Sequence, residues 1–515
     1  MTGSDHDEDV KVLHSMGYSQ ELSRRMGGFQ NFAISFSIIC ILAGGIGAYS
    51  VAFGAAGGGS IGVGWLVGAV FALLVAAAMG QIASAYPTAG GLYHWSSILG
   101  GKGWGWATAW INLIGLLFVV SSVNYGVYLL LRDLVLVGVF GMDPAGFTGT
   151  HLTIAVAVIT LSQAILNYVG IRATTILTDF SGYLILLVSL VLIVGLVVAS
   201  PVALDFSRLV TFTNYSGDPG AGTWPATPSL LFAFVLGLLH VCYTITGFDA
   251  SAHTAEETRD AQRAVPRGML TAVFWSALFG WLLVVAVLLA MPDMTEGAKK
   301  GAAVFPYVLE ASGLPRALKS GLAMGIVLSN YLCALAGMTS LSRMLYAFAR
   351  DGGIPGASRV LRRVNPRHRT PGAAIWTGAA FCFVLGWVCG ADASAYIVLA
   401  SGCAVFLYVS YVMPIAAGIL AEGARWTKKG PFQLGVWSKP VGVLAVLGGG
   451  VLIFVGFQPP YQLVGKFLAG VVALLFVVWF AVERRRFAGP PLSEADVAGR
   501  HARIAAEEAA LDTAG

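Results

Sequence analysis

An apolar stretch near the middle of the chain, residues 240–251, reads HVCYTITGFDAS and decides the predicted fold. It carries a glycine and a carboxylate inside a run that is otherwise apolar enough to cross a membrane. A second stretch, residues 41–50, reads ILAGGIGAYS and has three glycines within four positions. Because glycine weakens a helix, each stretch predicts an interruption at a depth where a spanning helix would otherwise continue.

The two stretches belong to the first and sixth of twelve predicted spans, which are positions related by a repeat of five. Interrupted helices in corresponding places of two halves are typical of the binding site of a transporter. A second interpretation stays open for the first stretch, because small residues also allow close helix packing in membranes. With 65 glycines in the chain, the glycines of the first stretch indicate a binding site only together with the interruption in the second.

Composition supports a membrane protein and excludes several other classes. Apolar residues make up 57% of the 515 residues and charged residues 11%, against roughly 25% charged in a typical soluble protein. So few charges could not cover the surface of soluble domains. The net charge is +5, and the charged residues lie nearly all between the apolar runs, which argues against a nucleic-acid partner. The six cysteines lie in apolar runs without the spacing of a metal site, and the sequence predicts no cofactor.

The apolar runs predict an all-α integral membrane protein with twelve transmembrane helices. These spans lie near residues 30–56, 61–83, 104–131, 150–169, 178–199, 228–251, 267–291, 318–348, 373–389, 394–420, 437–457 and 463–482.

The predicted spans divide the chain into two tails, two repeats and a final pair of spans. The segments are a cytoplasmic N-terminal tail (1–28), a first repeat of five spans (29–200), an extracellular loop (201–227), a second repeat of five spans (228–421), the last two spans with the cytoplasmic loop before them (422–483), and a cytoplasmic C-terminal tail (484–515).

The distribution of basic residues predicts which side of the membrane each loop faces. Twenty-four of the 31 lysines and arginines fall in segments on the same side as the N-terminus, and seven fall on the other side. Because positive residues accumulate in cytoplasmic loops, both termini are predicted to be cytoplasmic. A missed or additional span would have destroyed this asymmetry.

Four motifs, in order, resemble those of the amino acid, polyamine and organocation superfamily. Within it they look most like the amino acid/choline transporter family, which includes bacterial and fungal permeases for GABA and choline. The resemblance covers residues 29–483. The motifs are the glycine-rich first span, AYPTAGGLYHW at 85–95, GFDASAHTAEET at 247–258 and SRMLYAFARDGGIP at 342–355.

The resemblance implies a fold of five plus five inverted helices, with helices one and six discontinuous and spans eleven and twelve peripheral. It implies secondary transport by alternating access, with the substrate between the unwound parts of spans one and six. Spans three, eight and ten would form the walls. Some relatives use a lysine in span five in place of a sodium ion. Span five has no lysine here, so the coupling ion stays open between a proton and sodium.

The broken first span supplies candidate groups for both ends of a zwitterion. Backbone N–H groups freed by a break suit a carboxylate, and those around Gly45, Ile46 and Gly47 are the predicted ligands. Loose carbonyls near Ala43 and Gly44 would take an ammonium group or a coupling cation.

The sixth span supplies further candidates. Tyr243 would either cover an amine by a cation–π contact or pack between helices. The run Thr244, Ile245, Thr246 and Gly247 is the predicted unwound stretch. Asp249 would act as a helix cap, a proton carrier or a ligand contact, since an ionisable residue within a span is a functional candidate by default. His240 would be a proton relay or an interhelical hydrogen-bond partner.

Polar residues on the predicted walls complete the candidate pocket. Asn112 on span three and Ser401 on span ten are predicted substrate contacts, and Ser329 and Asn330 on span eight form a candidate cation site. Each has an alternative role in hydrogen bonds between helices. Two motif segments are predicted to be solvated, namely the run 254–257 as the start of a short helix, and His94 in the connection after span two.

The sequence therefore predicts a permease that imports amino acids or related amines, such as GABA or choline, across the plasma membrane. Coupling to protons is the leading expectation, and an obligatory exchanger or a transport-inactive sensor of the same fold are the alternatives. A channel would need a pore-lining filter or a ring of charges, and the sequence shows neither. An enzyme would need a constellation of acid, base and nucleophile, and the carboxylates within the spans are too few for one. The expected partners are the small substrate, a coupling proton or sodium ion, and membrane lipids, with the oligomeric state open.

Overall fold

The computed structural model describes residues 3–389, 393–491, 495–500, 504–505 and 508–509. Over these residues the regular structure is helical, and extended pairing is confined to isolated bridges such as Met26 with Thr258. The helices of the first half are α1 (Gly3–His14), α2 (Gly28–Ile39), α3 (Ile41–Gly47), α4 (Tyr49–Gly59), α5 (Trp65–Ala85), α6 (Leu92–Gly100), α7 (Lys102–Leu130), α8 (Gly149–Val169) and α9 (Ile171–Val198).

The second half repeats the alternation of long and broken helices. Its helices are α10 (Leu230–Gly237), α11 (Leu239–Thr244), α12 (Ala250–His253), α13 (Ala261–Leu289), α14 (Met294–Lys299), α15 (Val304–Ala311), α16 (Arg316–Arg350), α17 (Ser358–Leu361), α18 (Gly372–Cys389), α19 (Ala393–Ala421), α20 (Ser438–Gly456), α21 (Gln462–Val478) and α22 (Arg484–Arg486).

The predicted spans coincide with these helices. Among the described residues, ten helices are long and apolar enough to cross a membrane, and the sixth and ninth predicted spans match the shorter apolar helices Leu230–Thr244 and Gly372–Val388. The first and second spans are divided at Ala56 and Gly57, whose backbone leaves the helical region. Gly57 has φ of 64°, a left-handed conformation that glycine adopts without steric cost.

Burial separates a central core from peripheral helices. The most apolar windows of Gly28–Gly47 and Val398–Ala421 are each 83% buried, whereas that of Gln462–Arg486, which contains α21, is 22% buried. α7 packs against both α16 and α19, and α13 packs against α2 and α5. The fold thus places the broken spans and α7, α16 and α19 in the centre, with α20 and α21 outside them.

The outer surfaces of the peripheral helices are apolar. On α9 the exposed large side chains follow a spacing of three or four residues, which is one face of a helix. They are Ile176, Phe180, Tyr183, Leu187, Leu190, Val194 and Val198. A stripe of this length would be unstable in water, and it fits contact with lipid.

The two ends of the bundle differ. We call the end that carries the N-terminal segment 3–27 and residues 255–260 the tail end. Asp9 accepts the N–H groups of Asp260 and Ala261 there at 2.8 and 3.2 Å, and Arg24 donates to the carbonyls of Ala255 and Thr258. The opposite end carries the long connection 199–229, and we call it the loop end.

Candidate functional site

A cavity of about 700 Å³ opens at the loop end and extends between the broken spans. Arg132, Asp133 and Lys300 lie at the level of its mouth, where Arg132 Nε donates to Asp133 Oδ1 at 2.6 Å. Its lining includes five residues that the sequence predicts as site residues, from α3, α11 and α19. They are Ile46, Gly47, His240, Tyr243 and Ser401.

Two tyrosines form the inner part of this cavity. The rings of Tyr243 and Tyr396 meet edge to face with centroids 6.4 Å apart. A Cβ atom at Gly47 would lie 2.6 Å from the Tyr396 hydroxyl oxygen, so the glycine leaves the room that this hydroxyl occupies. Tyr243 also lines a much smaller pocket of about 20 Å³ deeper in the protein. Its ring therefore stands between the open cavity and the interior.

The smaller pocket gathers a second group of predicted residues, Ala43, Gly44, Thr244 and Thr246. Here the two broken spans approach each other closely. A Cβ atom at Gly44 would lie 2.6 Å from the Cα atom of Thr244, a distance that side chains do not tolerate. Gly44 is thus required for helix contact, as the packing interpretation of the first glycine stretch proposes.

The break in the first span lies earlier than the sequence predicts. It is centred on Cys40, whose φ of 20° and ψ of 86° separate α2 from α3. Gly45, Ile46 and Gly47 lie inside α3 or at its end, where N–H groups bond to carbonyls one turn earlier. The predicted carboxylate ligands are therefore engaged in the helix. Gly45 instead contributes its carbonyl, which accepts from His240 Nε2 at 3.2 Å.

The predicted interruption of the sixth span is confirmed. α11 ends at Thr244, Gly247 has φ of 84°, and the helix resumes at Ala250. The freed backbone groups are held by α19. Ile245 O accepts from the Tyr408 hydroxyl at 2.6 Å, and Gly247 N–H donates to the Tyr411 hydroxyl oxygen at 3.0 Å.

Asp249 lies just beyond this interruption and is fully buried. Asp249 stands at the N-cap position of α12, as predicted, but within the described residues its carboxylate makes no capping bond. Its Oδ1 accepts from the Tyr411 hydroxyl at 2.8 Å. Its Oδ2 accepts from Asn112 Nδ2 at 3.2 Å and lies 3.1 Å from His253 Nε2. Asn112, predicted to contact substrate, therefore belongs to the network around Asp249.

The candidate cation site on α16 lies against the break in the first span, and the buried Oγ of Ser329 has no hydrogen-bond partner among the described residues. The Cys333 thiol donates to Ile38 O at 3.1 Å, and the Cys40 thiol donates to Ser329 O at 3.8 Å. Asn330 Nδ2 donates to Ile326 O at 2.8 Å within its own helix. The loosened carbonyl at the end of α2 thus accepts a thiol proton.

The tail end is closed by the ion pairs Glu256–Arg350 and Glu257–Arg343. Arg350 Nη2 and Nη1 lie 2.8 and 3.0 Å from the two oxygens of Glu256. Arg343 Nε and Nη2 lie 3.0 and 3.1 Å from those of Glu257. Both glutamates and Arg343 are fully buried, so the expectation of a solvated helix at 254–257 is wrong. Local charge spacing could not reveal the arginines, which come from α16.

Neighbouring groups reinforce the closure. The hydroxyls of Tyr18 and Tyr93 donate to Asp351 Oδ2 at 2.7 and 3.0 Å, and Arg350 stacks over the Tyr18 ring at 4.0 Å. His94 is also buried, against the sequence expectation, and its Nδ1 lies 2.9 Å from Thr88 Oγ1. Burial lowers the pKa of His94 to about 3. Residues of three of the four sequence motifs therefore converge on the closed tail end.

Several residues of the site are not among those that the sequence predicts. His253 follows Asp249 by four positions, a spacing that places two side chains on one helix face and could have been noticed. Tyr411, Tyr396 and Ser410 lie on α19, more than 130 residues further along the chain, and no local pattern distinguishes them. Ser410 Oγ accepts from Asn112 Nδ2 at 3.1 Å and completes the network.

Comparison with known proteins shows what the whole chain is similar to. The family model described as amino acid permease matches residues 26–482. The chain is 33% identical to Amino-acid permease BAT1 of Arabidopsis thaliana over 93% of this chain and 95% of the relative. It is 32% identical to the BAT1 homolog of Oryza sativa subsp. japonica over 95% and 96%. Amino-acid permease 2 of Neurospora crassa is 26% identical over 93% and 88%.

Proposed function

Because this chain belongs to the amino acid permease family, we propose that it imports amino acids or related amines, such as GABA or choline, by proton-coupled secondary transport. The observation that carries this proposal is the asymmetry of the bundle. A cavity of about 700 Å³ reaches the broken spans from the loop end, while the ion pairs Glu256–Arg350 and Glu257–Arg343 close the tail end. This is the arrangement expected of one state in an alternating-access cycle.

In this proposal the tail end faces the cytoplasm and the membrane is the plasma membrane. The excess of lysine and arginine in the segments on the tail side supports the orientation. The cavity then opens outward. The two sets of five spans, 29–200 and 228–421, act as the repeats that rearrange around the central site, and residues 201–227 form an extracellular loop.

The inner cavity suits a substrate with a cationic nitrogen. Tyr243 and Tyr396 present aromatic rings beside the small residues Gly47 and Ser401. A cation over such a ring gains about 0.5–2 kcal/mol, depending on how far it is desolvated. This chemistry is shared by α-amino acids, GABA and choline, and it makes the amine the group that the site selects.

A proton is a better candidate for the coupling ion than sodium. Sodium would need several oxygen ligands. Two carbonyl oxygens near the break, those of Ile38 and Ser329, already accept from the thiols of Cys333 and Cys40. The buried carboxylate of Asp249 supplies a group that a proton can bind, because ionisable residues inside a membrane commonly serve as proton relays.

Uptake by purified protein in liposomes tests the proposal. Labelled GABA, choline and a mixture of α-amino acids are offered with and without an inward proton gradient, and counterflow is measured with preloaded vesicles. Accumulation that requires the gradient supports proton-coupled import. Counterflow without gradient-driven accumulation would replace the proposal with an obligatory exchanger. Failure of every substrate in both assays would remove the amine-transport assignment and favour a sensor.

A further inference from the structure

The contact between Asp249 and His253 has an unusual feature, which is that both nitrogens of the imidazole face acceptors. His253 Nδ1 lies 3.2 Å from Ala89 O, and Nε2 lies 3.1 Å from Asp249 Oδ2. A backbone carbonyl can only accept, so Nδ1 must carry a hydrogen. The Nε2 contact then needs a second proton, which lies either on the imidazole or on the carboxyl.

The donors around Asp249 decide between these two forms. Its oxygens already accept from the Tyr411 hydroxyl and from Asn112 Nδ2, and hydrogen bonds to a carboxylate stabilise the ionised form. The second proton therefore resides on His253, as an imidazolium beside a carboxylate. Protonated, the buried pair is electrically neutral. Without this proton it would carry one uncompensated negative charge away from water, which is costly.

The elements packed against the pair bring few charged or titratable groups to it. From α19 it faces Tyr411 and Cys403, and α7 presents the neutral Asn112. α2 packs against α12 with neutral side chains, and the residues of α13 that pack there are likewise uncharged. α16 contributes Arg343 and Arg350, which are paired with glutamates of the following turn.

The pair also connects the unwound segment with the closed tail end. On one side, Tyr411 bridges Asp249 Oδ1 and the N–H of Gly247. On the other side, Ala89 accepts from His253 through its carbonyl and donates its N–H to Glu256 Oε1 at 3.0 Å. Glu256 is in turn the partner of Arg350. Hydrogen bonds therefore join the pair to both the unwound segment and the closed tail end.

We propose that Asp249 and His253 together form the binding site of the coupling proton. The proton binds while the cavity is open at the loop end, and the neutral pair permits closure. When the tail end opens, Ala89 O leaves His253, and the imidazolium gives its Nδ1 proton to water. The Nε2–H stays on the imidazole, which is then neutral, and still donates to the carboxylate of Asp249. This assignment rests on the proposed function, because it presupposes transport driven by a proton gradient.

Two isosteric variants test the assignment in liposomes. Asp249→Asn and His253→Gln retain hydrogen-bonding capacity, and each removes one member of the pair that holds the exchangeable proton. An inward gradient of about one pH unit sustains roughly tenfold accumulation at one proton per substrate, and both variants are expected to lose it. Counterflow should persist within about threefold, because exchange requires no net proton release. His151→Gln, at the loop end, is the control for loss of a histidine and should accumulate substrate as the native protein does.

The outcomes separate this assignment from the proposed function. If the native protein accumulates substrate and either variant does so equally, the pair does not carry the proton, although the permease assignment stands. Loss of both accumulation and counterflow in a folded variant would make the pair a structural or substrate site. If the native protein itself transports nothing, the proposed function fails first.

The protons bound by the purified protein provide a second test, whose main measurement is made on the native protein. Substrate is added to purified protein in weak buffer with a pH indicator, and the number of bound protons should change. The size of this change should vary with pH as expected for one proton-binding site. The change should vanish in His253→Gln. A protein that binds substrate without any proton exchange between pH 5 and 8 would overturn the assignment.

Discussion

The side chain of Tyr243 lies at the boundary between the open cavity and the small interior pocket. Its ring is the group by which we expect an amine to be recognised. Tyr243→Leu should raise KM for uptake by about 2- to 30-fold, the equivalent of a lost cation–π contact of about 0.5–2 kcal/mol. Tyr243→Phe keeps the ring and should stay close to the native KM. Equal values of KM for the two variants would show that the ring only packs.

Gly44 is a second residue whose role follows from local geometry. An added Cβ would lie 2.6 Å from the backbone of Thr244, so Gly44→Ala should force the broken spans apart. Overpacking of this kind costs about 1–3 kcal/mol. Thermal unfolding in detergent should show a lower Tm for Gly44→Ala, whereas Gly450→Ala, where nothing lies within 4 Å, should leave Tm unchanged or higher. An unchanged Tm for Gly44→Ala would contradict the close approach.

His94 predicts a pH dependence of stability at the tail end. Its folded pKa is about 3 because burial disfavours the charged form, while the unfolded value is about 6.5. The unfolded chain therefore binds the proton more readily, and the stabilisation is complete above about pH 6.5 and declines as the pH falls toward 3. At pH 5 the loss is about 2 kcal/mol. Tm measured at pH 8 and pH 5 should fall less in His94→Gln than in the native protein, and parallel falls would refute this.

At the scale of elements, the short helix and turn at 250–260 separate the cavity from the tail end. This segment supplies Glu257, and its partner Arg343 comes from the middle of the buried face of α16. Removing one member of a buried ion pair leaves the other charge uncompensated, which costs about 3–5 kcal/mol. We therefore expect replacement of one partner to destabilise the closed tail end more than replacement of both partners together.

Glu257→Gln should consequently favour opening of the tail end. Hydrogen–deuterium exchange of residues 85–95, whose Ala89 N–H is bound to Glu256, should become faster. The double variant Glu257→Gln with Arg343→Met removes the stranded charge and should return exchange toward the native rate. Exchange that is unchanged in Glu257→Gln, or faster still in the double variant, would show that the pair does not hold the closure.

The elements could be predicted from the sequence more completely than their interruptions. Among the described residues, length and hydropathy locate an apolar helix at each of the twelve predicted spans, because about 20 apolar residues are needed wherever a helix crosses lipid. The interruption at Gly247 was also predictable, because a glycine within a span weakens the helix. Gly247 adopts a positive φ there, a conformation that favours glycine. The interruption at Cys40 was not. It follows from contacts such as the Cys333 thiol on Ile38 O, which joins residues 295 positions apart.

The site was predictable only where its chemistry is rare. A carboxylate inside a span attracts notice by itself, so Asp249 was identified, although its partners Tyr411 and Asn112 were not connected to it. Glu256 and Glu257 look like a solvated run because their neighbours in sequence are polar. Their arginines come from a helix more than 80 residues away, and burial depends on that tertiary contact.

At the scale of the whole molecule, the bundle is open at one end and sealed at the other. The cavity, the unwound segment around Gly247, the Asp249–His253 pair and the ion pairs of the tail end follow one another along the axis. Hydrogen bonds join the unwound segment to the pair through Tyr411, and the pair to the ion pairs through Ala89. We therefore expect substrate binding and closure of the tail end to be coupled through these neighbouring groups.

The most direct test of this account is the proton movement that accompanies substrate entry. Protein is reconstituted in liposomes that contain a trapped pH indicator, with no initial pH gradient, and the substrate found by the uptake assay is added outside. The account predicts acidification of the lumen that depends on substrate and is absent from protein-free vesicles and from Asp249→Asn. Substrate entry by the native protein with no change in luminal pH would contradict proton coupling.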